Sequence, residues 1–283
     1  MRVGSGTNIR GWLLATILAH ALCAGLILGQ AGASPAASPV AGVAAPAPLV
    51  AAAPSAGLPD TAGAAPAEEF PARLGSFTTT LIGSSPARTA NIRVAVDALD
   101  GTVVEAGEVL SFNLVVGPRT AERGYQVAPV ILHEQRQLQT GGGVCQVAST
   151  LFAAALLSGL APVERWRHSF AVDYIAAGED ATIAWGAKDL RLRNDTGQRV
   201  RLRLALTGVA LAARFEGEEA GPTSFELVTE ARELPPEPGL EDAEPGREID
   251  LFRVRYEDGT EVDRQFIHRD TYPPTRGRRA ETP

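Results

Sequence analysis

The apolar positions of this chain settle into regular runs only from Phe70 onward. Ile92, Ala95, Val96 and Leu99 recur at i, i+3, i+4 and i+7, which predicts a helix over Arg88–Leu99. Val147, Leu151, Ala154 and Ala155 share one face of a second helix, Val147–Leu160, with alanine-rich support and Gly159 near its end. Elsewhere the runs are short and read as strands: Phe77–Ile82, Thr102–Glu105, Val109–Phe112, Tyr125–Leu132, His168–Ile175, Ala181–Trp185 and Leu190–Asn194. Val200, Leu202, Leu204 and Leu206 alternate with polar positions. Their run, Val200–Leu206, and the following Val209–Phe215 flank Thr207-Gly208 as a hairpin. Residues 216–249 are polar and rich in Pro and Glu, with one strand expected at Ser224–Val228. A last hairpin joins Ile249–Tyr256 to Thr260–Ile267 through Asp258-Gly259. The sum is an α+β fold: a central helix, entered from a Gly-rich loop, packed on antiparallel strands, with C-terminal β-hairpins.

Composition changes the picture before Phe70. Arg2 and Arg10 precede a run, Gly11 to Gly29, that is apolar apart from Thr16 and His20, and Ala31-Gly32-Ala33 offers the small residues of a cleavage site. Residues 1–33 therefore read as a signal peptide; the rival is an uncleaved anchor over 11–29. Leu22 stands before Cys23 where a lipidation site needs a small residue, so lipidation is not expected. Residues 34–69 are almost wholly Ala, Pro, Gly and Ser and are expected to be a disordered linker. A domain over 70–215 and a polar linker, hairpin and basic tail over 216–283 complete the division. The expected location is outside the cytoplasm, periplasmic or at the cell surface. A membrane is met only through the N-terminal segment, if that is uncleaved. The net charge of −7 argues against a nucleic-acid partner.

The chemistry gathers around Cys145, the single thiol left if residues 1–33 are removed. Gly141-Gly142-Gly143 precedes it, and three glycines before a helix permit positive φ and close backbone approach. A cysteine at a helix start meets free N–H groups and the positive end of the macrodipole, which favour a thiolate and would serve an oxyanion. The alternative is a packing loop with a small buried cysteine. His168 follows by 23 residues and Asp180 by 12 more, giving a nucleophile, base and orienter in that order; equally, His168 is a structural histidine and Asp180 a turn residue. Arg119, with Glu122 and Tyr125, either lines a carboxylate site or forms a structural Arg–Glu pair. Gly142, Gly143 and Gln146 complete the expected substrate-binding set. Cys145, His133 and His168 lack zinc-type spacing, so neither a metal nor a cofactor is expected.

Ser111-Phe112-Asn113, Val116-Gly117-Pro118-Arg119-Thr120, Gly124-Tyr125 and above all Gly141-Gly142-Gly143-Val144-Cys145-Gln146-Val147 resemble the VanW family. The resemblance continues through Ser149-Thr150-Leu151, Gly159-Leu160, Val163-Glu164-Arg165, His168-Ser169 and Asp180-Ala181-Thr182. It covers about residues 70 to 205 and departs at Ala148, where the family usually has serine, and over the polar His133–Thr140. It implies a bacterial cell-envelope setting, with peptidoglycan or an envelope protein as partner, and leaves the reaction open. Three readings follow: a binder using the pocket around Cys145; a Cys-His-Asp thiol hydrolase or acyl-transferase acting on wall peptides; and a structural accessory module. The distance between the Cys145 sulfur and a His168 nitrogen separates them.

Overall fold

The computed structural model describes residues 69–132, 135–169, 171–236, 238, 240–241, 244–274 and 278–279; the expected signal or anchor and almost all of the linker lie outside them. Among the described residues no helix is long and apolar enough to cross a membrane.

In chain order the elements are β1 (Ala72–Thr80), α1 (Pro86–Leu99), β2 (Val103–Val104), β3 (Val109–Ser111), α2 (Phe112–Val116), β4 (Val127–Leu132), β5 (Gln135–Thr140), α3 (Val144–Leu157), β6 (Ala161–Glu164) and β7 (Arg191–Arg193). Then come β8 (Val200–Thr207), β9 (Ala210–Gly217), β10 (Thr223–Leu234), β11 (Leu240–Glu241), β12 (Gly246–Glu257), β13 (Thr260–Tyr272) and β14 (Arg278–Arg279). An antiparallel sheet of order β1-β9-β8-β2 carries α3, which lies against β1 and β9. Two further three-stranded antiparallel sheets have the orders β3-β7-β6 and β10-β12-β13, and β4 pairs with β5. The fold is α+β, as the hydrophobic pattern indicates.

Helix α1 starts at Pro86, two residues before the expected Arg88. Ser85 caps it by accepting from the Arg88 N–H at 3.3 Å, and Pro86 follows at a position that needs no N–H. Ile92, Ala95, Val96 and Leu99 are buried, and Asp100-Gly101 ends the helix with Gly101 at φ +82°. Helix α3 has no side-chain cap; left-handed Gly143 (φ 104°) turns the chain into it. Apart from Cys145 and Leu157, every residue of α3 is buried, so the helix is enclosed around its whole circumference rather than along one stripe, with Gln146, Ser149 and Thr150 satisfied by hydrogen bonds. Leu151 and Phe152 are fully enclosed in the main core with Leu202, Leu211 and Phe215 of the sheet. Truncating Leu151 to alanine would cost about 2–5 kcal/mol.

Several elements depart from the sequence expectation. His168–Ile175 and Ala181–Trp185 form no strand; apart from a single bridge between Ala184 and Lys188, the described part of 165–190 is irregular. Its alternation reflects side chains fixed individually by hydrogen bonds to α3 and to the C-terminal sheet, without a ladder. Hence neither His168 nor Asp180 opens a strand. Phe112–Val116 is a short helix, capped by Ser111 Oγ accepting from the Leu114 N–H at 3.1 Å. Residues 135–140 form β5, paired with β4, and β10 runs well past Ser224–Val228.

Candidate functional site

Cys145 lies in the first turn of α3. Protein crowds it closely, yet it keeps a partly exposed face. Its sulfur sits 3.5 Å from Thr182 Oγ1 and 3.7 Å from the Ile183 carbonyl oxygen. Ser149, one helical turn above, holds the 180–183 segment there: its Oγ accepts from the Ala181 N–H at 2.9 Å and lies 3.0 Å from the Ala181 carbonyl oxygen. The Val144 and Gln146 N–H groups fold back on the Gly141 and Gly143 carbonyls, at 3.3 and 3.0 Å. The Cys145 N–H has no acceptor among the described residues, which leaves a donor beside the sulfur for an oxyanion.

His168 is buried, and its Nδ1 lies 2.6 Å from Asp180 Oδ2, which also accepts from the His168 backbone N–H at 2.8 Å. The Asp180 carboxylate is anchored on its other oxygen by Arg165 Nη2 at 3.0 Å and Tyr272 Oη at 3.3 Å. Arg165 also donates from Nε to the Asp180 carbonyl and from Nη1 to Asp270 Oδ1, at 2.6 and 2.7 Å. Asp270 and Tyr272 belong to β13, so the C-terminal sheet buttresses the carboxylate. Burial would raise Asp180, but the His168 hydrogen bonds and the Arg165 charge hold it below the usual carboxylate range.

With Nδ1 committed to Asp180, Nε2 is the ring nitrogen left for the thiol. Burial pushes the Cys145 thiol up. The His168 hydrogen bond and charge, helped by Ile183 and Thr182, outweigh it and bring the thiol down to about 7. Burial pushes His168 down; the hydrogen bonds to Asp180 and Cys145 and both their charges carry it up to about 9. A thiolate facing an imidazolium is therefore favoured around neutral pH, and the two titrate as a coupled pair. Tyr174 packs edge-on to the His168 ring at 6.4 Å, with its hydroxyl 3.4 Å from Ser149 Oγ.

The structure thus pairs His168 with Asp180 and sets the Cys145 sulfur against Thr182 and Ile183 of the segment that Asp180 begins. Arg119 is near Cys145 too: the thiolate charge acts on it, and its stem lies against Gly141. Its guanidinium donates to Asn113 Oδ1 at 2.7 Å and to the Gly117 carbonyl at 3.1 Å, and no Arg119–Glu122 pair forms. Tyr125 is buried beside Arg119 and Arg123. Gly142 is buried where a Cβ would meet the Ala128 and Pro129 carbonyl oxygens at 2.6 Å. Gln146 is buried and fully engaged: its amide donates to Thr79 Oγ1 and the Thr80 carbonyl and accepts from Arg88 Nη2 at 2.6 Å. Glycines at positive φ stand on both sides of Gly142: Gly141 at 89° and Gly143 at 104°. Among the described residues no cluster of three or more His, Cys, Asp or Glu forms a metal site.

Sequence reasoning missed Arg88, Arg165, Thr182 and Tyr272. Arg88 left one trace. It is a cation in the first turn of a capped helix, where the macrodipole disfavours positive charge. Arg165 and Thr182 stand in matched motifs, Val163-Glu164-Arg165 and Asp180-Ala181-Thr182, without a role being read from them, and Tyr272, 92 residues from Asp180 along the chain, left no trace.

The sequence profile described as VanW-like protein matches residues 87–215. The chain is similar to the uncharacterized protein YoaR of Bacillus subtilis (strain 168), 41% identical over 131 residues, 46% of this chain and 43% of that one. It is also similar to the vancomycin B-type resistance protein VanW of Enterococcus faecalis (strain ATCC 700802 / V583), 31% identical over 112 residues, 38% of this chain and 40% of the relative. The chain thus spans less than half the length of the curated relatives it matches. No solved structure matches it.

Proposed function

Through residues 87–215 this chain belongs to the VanW family, and from the geometry of its site we propose that it is a thiol acyl-transferase or hydrolase acting on peptides of the cell envelope. The observation that carries the reading is the buried pair of Asp180 Oδ2 and His168 Nδ1 at 2.6 Å, at the head of the segment whose Thr182 and Ile183 meet the Cys145 sulfur, with the His168 charge acting to lower the thiol. A pocket that only bound its ligand, or a loop that only packed, would need no imidazole held by a buried carboxylate against a sulfur. The envelope setting draws on the vancomycin-resistance name of one relative and on the apolar run Gly11–Gly29 behind Arg2 and Arg10.

In this reading the Cys145 thiolate attacks an acyl carbonyl, and the Cys145 N–H donates to the oxygen as it gains charge. A C–S bond forms, the C–N bond of the peptide breaks, and the His168 imidazolium gives its proton to the departing amine. Water or an acceptor amine then attacks the thioester and passes a proton to His168. The C–S bond breaks and the ion pair is restored. Asp180 keeps the ring oriented and stabilises its charged form throughout.

The test is acylation of the full chain by p-nitrophenyl acetate, followed by p-nitrophenolate release and intact mass. The expected result is a single acetyl group on the peptide containing Cys145, absent from Cys145→Ala, with acylation of His168→Ala slower by about tenfold below neutral pH, since p-nitrophenolate leaves without a proton and only the thiolate fraction is lost. Acylation of Cys145 no faster than that of a free thiol of matched pKa would overturn the proposal.

A further inference from the structure

We propose that Arg88 and Arg119 form a carboxylate clamp on either side of Cys145, so that the acyl substrate is an anionic peptide bearing a carboxylate next to the carbonyl attacked. The inference rests on the reading of Cys145 as a nucleophile and adds the substrate class.

The glycine turn makes the arrangement. A Cβ on Gly141 would lie 2.8 Å from Arg119 Cβ, and one on Gly143 would lie 2.7 Å from Arg88 Cγ. The two outer glycines are therefore the surfaces against which two arginine stems pack, one from α1 and one from the loop after α2. Both guanidiniums feel the charge of Cys145. The absence of side chains at 141 and 143 lets two cations close on the helix start that carries the sulfur.

Among the described residues neither guanidinium pairs with a carboxylate. Arg88 donates to Ser84 Oγ at 3.3 Å and to Gln146 Oε1, and Arg119 donates to Asn113 Oδ1 and the Gly117 carbonyl; all four acceptors are uncharged. Such acceptors fix where a guanidinium sits without cancelling its charge. Asp189, the carboxylate that Arg119 feels, is taken up by Ser111 Oγ and the Asn113 and Leu190 N–H groups. Asp173, which Arg88 feels, makes no ion pair with it. Arg165, by contrast, is closed by two carboxylates. Partly buried guanidiniums without counter-ions are costly, and their fork of donors matches a carboxylate.

A second observation points the same way. The Tyr125 hydroxyl is buried, has no hydrogen-bond partner among the described residues, and lies within the field of Arg119 and Arg123. That orphaned hydroxyl marks unmet hydrogen-bonding demand in the protein beside the Arg119 arm of the clamp. The reaction itself adds a reason. The thiolate is the anion on which both arginines act, and acylation turns it into a neutral thioester. A carboxylate on the substrate replaces that lost charge.

Two small electrophiles that differ in one charge test the clamp. Alkylation of Cys145 in the full chain by iodoacetate and by iodoacetamide is followed by mass spectrometry of its peptide. The iodoacetate-to-iodoacetamide rate ratio cancels the thiolate fraction. We expect this ratio to exceed that of glutathione by about tenfold or more at low salt. It should fall several-fold in Arg88→Gln and in Arg119→Gln, and reach the glutathione ratio in the double variant. Arg88→Lys, which keeps the charge and loses the fork, should be intermediate. Thermal melting and the iodoacetamide rate identify any variant that fails to fold. If Cys145 reacts readily with iodoacetamide but the ratio matches glutathione, or is unchanged in the folded variants, the clamp is refuted while the nucleophile reading stands. If folded wild-type protein reacts with neither reagent, both fall.

Discussion

Replacing His168 with alanine should separate the thiol from the group that ionises it. The imidazolium brings Cys145 from an ordinary value of 9.0 to about 7, against a burial effect of opposite sign. Without the ring, the thiol should return to 9 or above, because burial stays and its strongest compensation goes. At pH 6 both forms are mostly protonated, so a two-unit rise lowers the thiolate fraction roughly a hundredfold. The less acidic thiolate is intrinsically about tenfold more nucleophilic for a Brønsted coefficient near 0.5. The net expectation is a loss of roughly tenfold in alkylation rate at pH 6, with the two profiles crossing near pH 8 or above. In the wild type the rate should rise through an apparent pKa near 7. Above pH 9 His168 itself loses its proton, and its attraction for the thiolate ends. The assay is iodoacetamide labelling of the Cys145 peptide from pH 5 to 10, with circular dichroism to confirm that both proteins are folded. Two profiles of the same midpoint would refute the argument, and so would a wild-type midpoint at an ordinary thiol value.

Two further predictions concern stability. Arg165→Met removes the cation that closes both Asp180 and Asp270 in the interior, and should cost about 3–5 kcal/mol in urea unfolding. The sign with pH follows from the depressed Asp180: its stabilisation is present above the unfolded value near 4 and is lost as pH falls through the folded value, so stability should depend less steeply on acid in the variant. Unchanged stability would contradict the role given to Arg165. Gly143→Ala should destabilise by more than ~1 kcal/mol, and by more than Gly186→Ala. Both glycines have positive φ, but only Gly143 has a neighbour, Arg88 Cγ, where the new Cβ must go. Equal melting-temperature shifts for the two variants would show that the arginine stem is not held there.

By itself the sequence determined the elements whose stability is local or periodic. The i, i+3, i+4, i+7 spacing of Ile92, Ala95, Val96 and Leu99 was sufficient for α1, and the alternation either side of Thr207-Gly208 for the β8–β9 hairpin. Cys145 also stood out, because three glycines before an apolar helix serve few other purposes. The candidate partners His168 and Asp180 were readable as residue types, but their supposed strands were not real. The segment that carries them has no ladder, and its side chains are held by Ser149 of α3 and by Arg165 and Tyr272. Those contacts join positions far apart in the chain, and their cost in chain entropy is met by the whole fold, so no local pattern records them. The same holds for the two arginines. Only the tertiary structure sets Arg88 of α1 and Arg119 of a distant loop against Gly141 and Gly143, because the fit depends on the space left by two missing side chains.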